Sequence, residues 1–270
     1  MEYKFFLGMG LAVAIVFAGA SLYTHFVKNA PAAETGEDTL YQVSTIDALM
    51  QGVYDGNVTV AELKKHGNFG IGTFDRLDGE MIVLDGTVYH AKADGSVVVA
   101  ADNQTTPFAT VTYFGTDFRQ ATTSRAMNDS EFMDSMAEEL PSQNMIYAVK
   151  IHGTFPSVTV RAIPAQDKPY PTLTNASKEQ QVHTYTNVTG TVIGFYTPTF
   201  LKGLNAQGYH LHFLSDDRAK GGHILDMTVP AGSVVQYDIT QEFTMDLPTS
   251  GDFTGTNLSA DLSAQLAAVE

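Results

Sequence analysis

Three Asp-Gly pairs, Asp78-Gly79, Asp85-Gly86 and Asp94-Gly95, interrupt a series of short apolar runs between Gly70 and Ala101, and they constrain the fold more than any other feature. Asp-Gly favours positive-φ turns whose twist matches that of paired strands, so apolar runs between such pairs read as tightly turned antiparallel strands. The stretch is therefore expected to be a β-meander. Upstream, an amphipathic piece spans Ser44 to Met50, and in TVAELKKHG the spacing of Thr59 and Glu62 fits a capping box with Gly67 as stop, which predicts a short helix. Further strands are expected over Ala109 to Phe114, Met145 to Ile151 and Ser157 to Ile163, with a helix over Asp129 to Leu140. On this reading the first sheet extends to about Ile163.

Pro164, Pro169 and Pro171 crowd the polar stretch that follows, which fits a linker better than a strand or a long helix. Beyond it, alternating patterns over Val182 to Tyr196, Gly208 to Leu214, His223 to Val229 and Ser233 to Thr244 predict a second sheet, and Leu258 to Val269 a short closing helix. The expected organisation is residues 39–163, an N-terminal sheet domain; 164–181, a linker; and 182–270, a C-terminal sheet domain. The fold class is thus α/β of the α+β type, with two sheet-rich domains.

Residues 1–38 stand apart. Lys4 precedes an uncharged apolar run from Phe5 to Tyr23 with an Ala18-Gly19-Ala20 pattern, then a polar linker, which suits a cleaved signal peptide or an uncleaved membrane anchor. Either route implies export, with the membrane touched only through this segment. The net charge of −15, from 15 Lys and Arg against 30 Asp and Glu, opposes binding to nucleic acid or anionic lipid. A small anionic substrate would need a local positive centre. The chain has no cysteine, which excludes disulfides, thiolate ligands and a Cys nucleophile, so a metal must use His and carboxylates.

Three of the eight histidines fall within GYHLHFLSDDRAKGGHILD. On a strand, His210 and His212 project to one face, and a hairpin through SDDRAKGG would bring His223 across, so that three ring nitrogens converge about 2 Å from a common point. Chance surface histidines are the bland alternative. The other five, His25, His66, His90, His152 and His183, are scattered and read as ordinary surface or core residues. Arg161 alternates against Val158 and Val160; it is either a solvated strand-end charge or a clamp for an anion. Glu80 follows a turn and reads first as a solvent-facing carboxylate. Asp216, Asp217 and Arg218 read as hairpin loop.

GTFDRLDGEMIVLDGTVY, YAVKIHGTFPSVTVRAIPAQ and GYHLHFLSDDRAKGGHILD together resemble the α-acetolactate decarboxylase family, in order and spacing, and the resemblance covers nearly all of the chain after about Thr39. It implies two mixed α/β domains with a metal site near their junction, usually in a homodimer. It also implies Zn2+ held by His210, His212 and His223, an active-site arginine at Arg161, a glutamate at Glu80, a threonine at Thr73 and a tail glutamate at Glu270, with Glu242 as the fallback. The implied reaction converts (S)-2-acetolactate, a small anionic 2-hydroxy-3-keto acid, to (R)-acetoin and CO2. Zinc held by neutral imidazoles keeps its charge and can take up the electrons left by CO2. No organic cofactor is implied.

Two other classes remain in view. A cupin-like metal oxygenase or isomerase also uses H-x-H on a strand, but usually with a nearby Glu, and none lies between His212 and His223. A non-catalytic secreted metal-binding β module would leave Arg161 and Glu80 unexplained.

Overall fold

The computed structural model describes residues 38–121 and 125–269. They contain two seven-stranded sheets. The first sheet has the order β16–β1–β8–β3–β4–β5–β6. Its strands are β1 (Thr39–Val43), β3 (Phe69–Thr73), β4 (Glu80–Leu84), β5 (Thr87–Ala91), β6 (Val97–Val99), β8 (Ala109–Thr112) and β16 (Glu242–Asp246). The expected meander is β3 to β6. Between β4 and β5, Asp85 at φ 50° and Gly86 at φ 76° form the two-residue turn closed by the pair Leu84 and Thr87. Two short strands, β2 (Val58–Thr59) and β7 (Thr105–Thr106), pair separately.

The second sheet has the order β10–β14–β13–β12–β11–β15–β9. It comprises β9 (Phe118–Ala121), β10 (Met127–Asn128), β11 (Ile146–Ala162), β12 (Gln181–Thr197), β13 (Gly208–Ser215), β14 (Gly221–Val229) and β15 (Val234–Thr240). Because β14 also pairs with β11, the strands β11 to β14 close into a small barrel. Phe155, Val158, Val160, Val192, Phe213 and Met227 fill it. Its outer face, through Ile193, Phe195 and Leu214, packs on Phe69, Ile71, Ile82 and Leu84 of the first sheet.

Strand parity then places the polar residues. On β3 the residues Phe69 and Ile71 face the second sheet, and so does Thr73; on β4 the residues Ile82 and Leu84 do, and so does Glu80. On β11 the inward set changes at Pro156, from Tyr147, Val149, Ile151 and Phe155 to Val158 and Val160, opposite Asn187 at φ 47°. Arg161 consequently lies on the outer face, toward the first sheet.

Six short helices complete the unit. They are α1 (Ile46–Met50), α2 (Val60–Leu63), α3 (Asp129–Glu138), α4 (Leu173–Ala176), α5 (Asp252–Gly255) and α6 (Ser263–Leu266). Thr59 caps α2 by accepting from the Glu62 amide at 3.2 Å, as its spacing predicts. The side chains of α1, α4 and α6, with Leu77, Phe108 and Ile163, form a cluster at one end of the space between the sheets.

Several expectations change. The first sheet does not run on to Ile163, because β9, β10 and β11 all belong to the second sheet. The proline-rich stretch 164–181 is not a boundary between sheets: β11 and β12, which flank it, pair from Tyr147 with Tyr196 through to Ala162 with Gln181. β16 returns to the first sheet as the parallel neighbour of β1. Chain is thus exchanged both ways between the sheets, and residues Thr35–Glu270 cluster as one compact unit. The tail helix is shorter than expected, only Ser263–Leu266. The N-terminal apolar segment lies outside the described residues.

Candidate metal and active site

The outer face of the barrel carries the histidines. His210 and His212 project together from β13, and His223 on β14 is the cross-strand partner of His212, the hairpin arrangement expected from the sequence. Arg161 on β11 is in turn the partner of His223. Facing them from the first sheet, Thr73 and Glu80 are paired across β3 and β4.

The ring nitrogens converge. His210 Nε2 and His223 Nδ1 lie 3.1 Å apart, and one nitrogen from each of the three rings fits within a 4.8 Å span. Ligands about 2.0–2.1 Å from a tetrahedral ion stand about 3.3 Å from one another, so the spacing suits a small cation. His212 donates Nδ1–H to the Met81 carbonyl at 3.0 Å, which leaves the lone pair on Nε2. That Nε2 is buried without a hydrogen-bond partner and lies 3.8 Å from Glu80 Oε2. Burial holds the His212 ring well below the usual imidazole range, aided by neighbouring His210 and Arg161 and opposed by the bond to Met81. A neutral, oriented imidazole in a buried cluster is the donor a transition metal needs. The donor set thus fits a bound divalent cation.

Arg161 is 5% exposed. Its NH1 donates to Gln180 Oε1 at 3.4 Å, and its Nε has no hydrogen-bond partner among the described residues. A buried guanidinium with open N–H groups favours an anion in front of it. Glu80 is 9% exposed, not the solvent-facing carboxylate that a turn position first suggests. Thr73 donates its hydroxyl to the Gly79 carbonyl at 2.7 Å, which ties it to the turn that leads into Glu80.

These residues line a cleft whose other wall is formed by Ile46, Leu49, Leu77, Phe108, Ile163 and Leu173. One half is therefore charged and polar, the other apolar. Glu270 lies outside the described residues. Glu242 is exposed on β16, where it accepts from the Thr39 hydroxyl at 3.0 Å, and it takes no part in the cleft. Sequence patterns did not reveal the Met81 carbonyl that orients His212, since any residue type supplies a carbonyl. They also missed Gln180 beside Arg161 and the apolar wall from α1 and α4, both brought in by tertiary packing.

Fold and site together define a sheet-rich α/β protein with a buried three-histidine group able to hold a metal ion, set beside a guanidinium and a carboxylate in one cleft. The chain belongs to the alpha-acetolactate decarboxylase family, whose profile matches residues 40–260. It is 49% identical over 240 residues to the alpha-acetolactate decarboxylase of Methanosarcina mazei, covering 88% of this chain and 82% of that protein. It is 38% identical over 236 residues to the one from Bacillus licheniformis, covering 86% and 92%. Among solved structures, acetolactate decarboxylase from Bacillus subtilis subspecies spizizenii matches with a TM-score of 0.82 at 36% identity, over 86% of this chain and 100% of that one.

Proposed function

We propose that the protein decarboxylates 2-acetolactate to acetoin and CO2 with a divalent cation, zinc in the first instance, held by His210, His212 and His223. The observation that carries this is the convergence of those rings with buried Arg161 in one cleft, under a family match that spans most of the chain. When bound, the cation supplies a Lewis acid that polarises the hydroxyl and ketone oxygens of a 2-hydroxy-3-keto acid.

Arg161 holds the carboxylate through its open N–H groups and so sets the breaking C–C bond across the carbonyl π system. As that bond breaks, CO2 leaves and the electron pair passes toward the ketone oxygen, giving an enediolate. A proton then adds to the carbon that lost CO2. Glu80, whose Oε2 faces His212 Nε2 at 3.8 Å from the opposite sheet, is assigned that proton transfer to one face, which makes a single enantiomer, (R)-acetoin, from (S)-acetolactate. Thr73 fixes the turn from which Glu80 springs. The apolar wall excludes water and receives the methyl groups.

The test is acetoin and CO2 release from racemic acetolactate before chelation, after it, and after zinc is restored. Activity removed by the chelator and recovered with zinc supports the reading; metal-loaded, folded protein that releases no acetoin overturns it. Export through residues 1–38 and assembly as a homodimer are further parts of the proposal, checked by cell fractionation and by sedimentation of the purified chain. Among the described residues no helix is long and apolar enough to cross a membrane.

A further inference from the structure

We propose that His90 is a positioning residue for Glu80: its ring packs against the Asp78-Gly79 turn with the Nε2–H edge toward Asp78, while Gln104 sets its tautomer. The inference rests on the role assigned to Glu80 above.

His90 lies on β5, is 1% exposed, and is the cross-strand partner of Met81, the residue after Glu80. Its ring lies 4.1 Å from that of Phe74, the residue after Thr73. It thus sits between the chain leaving Thr73 and the chain entering Glu80. The turn packs directly on the ring: a Cβ on Gly79, which has φ +70°, would lie 2.9 Å from His90 Nε2 and 2.4 Å from the Ala91 carbonyl oxygen. Only glycine fits there without displacing the turn.

Hydrogen bonding assigns the tautomer. The Ala101 amide donates to Gln104 Oε1 at 2.7 Å, which turns the NH2 of Gln104 toward His90 Nδ1 at 3.5 Å. Nδ1 is then the acceptor and Nε2 carries the hydrogen. Nε2 makes no hydrogen bond of ordinary length; it faces the Asp78 carboxylate at 3.7 Å, and the Asp78 backbone acts on the ring as an acceptor. Burial keeps the ring below the usual imidazole range, with Asp78 and Asp94 opposing and Lys92 reinforcing, so the donor is the neutral ring.

The other sides of the turn are already held. The Gly79 amide donates to the Ile163 carbonyl at 2.8 Å, and the Gly79 carbonyl accepts from Thr73. Ile163 lies two residues beyond Arg161, so the same turn links the placement of Glu80 to that of the guanidinium. His90 supplies the remaining support, from the side facing away from the barrel. A core histidine that merely fills space beside Phe74 would serve equally well as phenylalanine, and that difference can be measured.

The full-length, metal-loaded protein is compared as wild type, His90→Phe, His90→Gln, Glu80→Gln and the His90→Phe/Glu80→Gln double variant. A misplacement of about 1 Å can cost about 100-fold in rate, and a partial loosening of the turn is expected to lower kcat about tenfold in H90F, with KM and metal content unchanged. Gln presents an N–H close to the position of ring Nε2 and should recover most of that loss. In the E80Q background the His90→Phe change should have no further effect, since the residue it places is gone. Wild-type kcat in H90F, or an equal loss in both backgrounds, overturns the inference. An E80Q enzyme with normal turnover overturns the role of Glu80 and the inference with it, whereas slow E80Q beside unimpaired H90F overturns the inference alone. If H90F does not fold, Gln104→Leu carries the same test through the tautomer, with a loss of kcat that disappears in the E80Q background expected and an unchanged kcat overturning it.

Discussion

Arg161 and His223 face each other across the β11–β14 pairing that closes the barrel. One ladder therefore places both the guanidinium and one imidazole of the three-histidine group, so the proposed anion clamp and cation centre share a single backbone register. On that proposal the closure itself is functional.

Gly222 is where closure is tightest. A Cβ there would lie 2.6 Å from the Arg161 carbonyl oxygen, at a φ of +149°. Gly222→Ala is expected to push β14 off β11, lowering metal occupancy and substrate affinity together although neither ligand nor clamp is changed. Metal content by mass spectrometry and KM for acetolactate measure the two effects.

His210→Ala removes one of three donors from a buried cluster and is expected to abolish metal retention and activity together. Metal analysis after dialysis, beside an acetoin assay with and without added zinc, is the check. Full activity with no bound metal would remove the cation from the mechanism.

Arg161→Lys keeps the positive charge but loses the planar fork. A lost charge-assisted hydrogen bond costs about 1.5–3 kcal/mol, so kcat/KM is expected to fall about 10- to 100-fold with metal content unchanged. Steady-state kinetics on acetolactate decide it.

Phe213 points into the barrel from β13, between His212 and Leu214, and is fully buried. Phe213→Ala is expected to cost about 3–5 kcal/mol of stability, because a closed barrel cannot collapse onto the cavity. Thermal or denaturant unfolding measures the loss, and because its side chain lies on the far face of β13 from the histidines, the folded fraction should still bind metal.

Much of this was legible in the chain itself, because the relevant physics is local. The Asp85-Gly86 turn, the Thr59 cap and the His210-x-His212 alternation each depend on residues a few positions apart, whose backbone preferences and side-chain directions hold wherever the segment is placed. The turn through SDDRAKGG likewise implied that a hairpin would bring His223 across to the strand of His210 and His212, and the structure makes His212 its partner. What composition and periodicity could not contain was which strands would meet across the fold. β11 lies before the proline-rich stretch yet belongs with the strands after it, and β16 lies near the end of the chain yet pairs with β1. The approach of Met81 to His212 and the burial of Glu80 follow from one sheet packing on another. Local sequence set the turns, the caps and the hairpin with its histidines. Tertiary structure decided what faces them, since side chains distant in sequence become neighbours only when two sheets bury their apolar faces against each other.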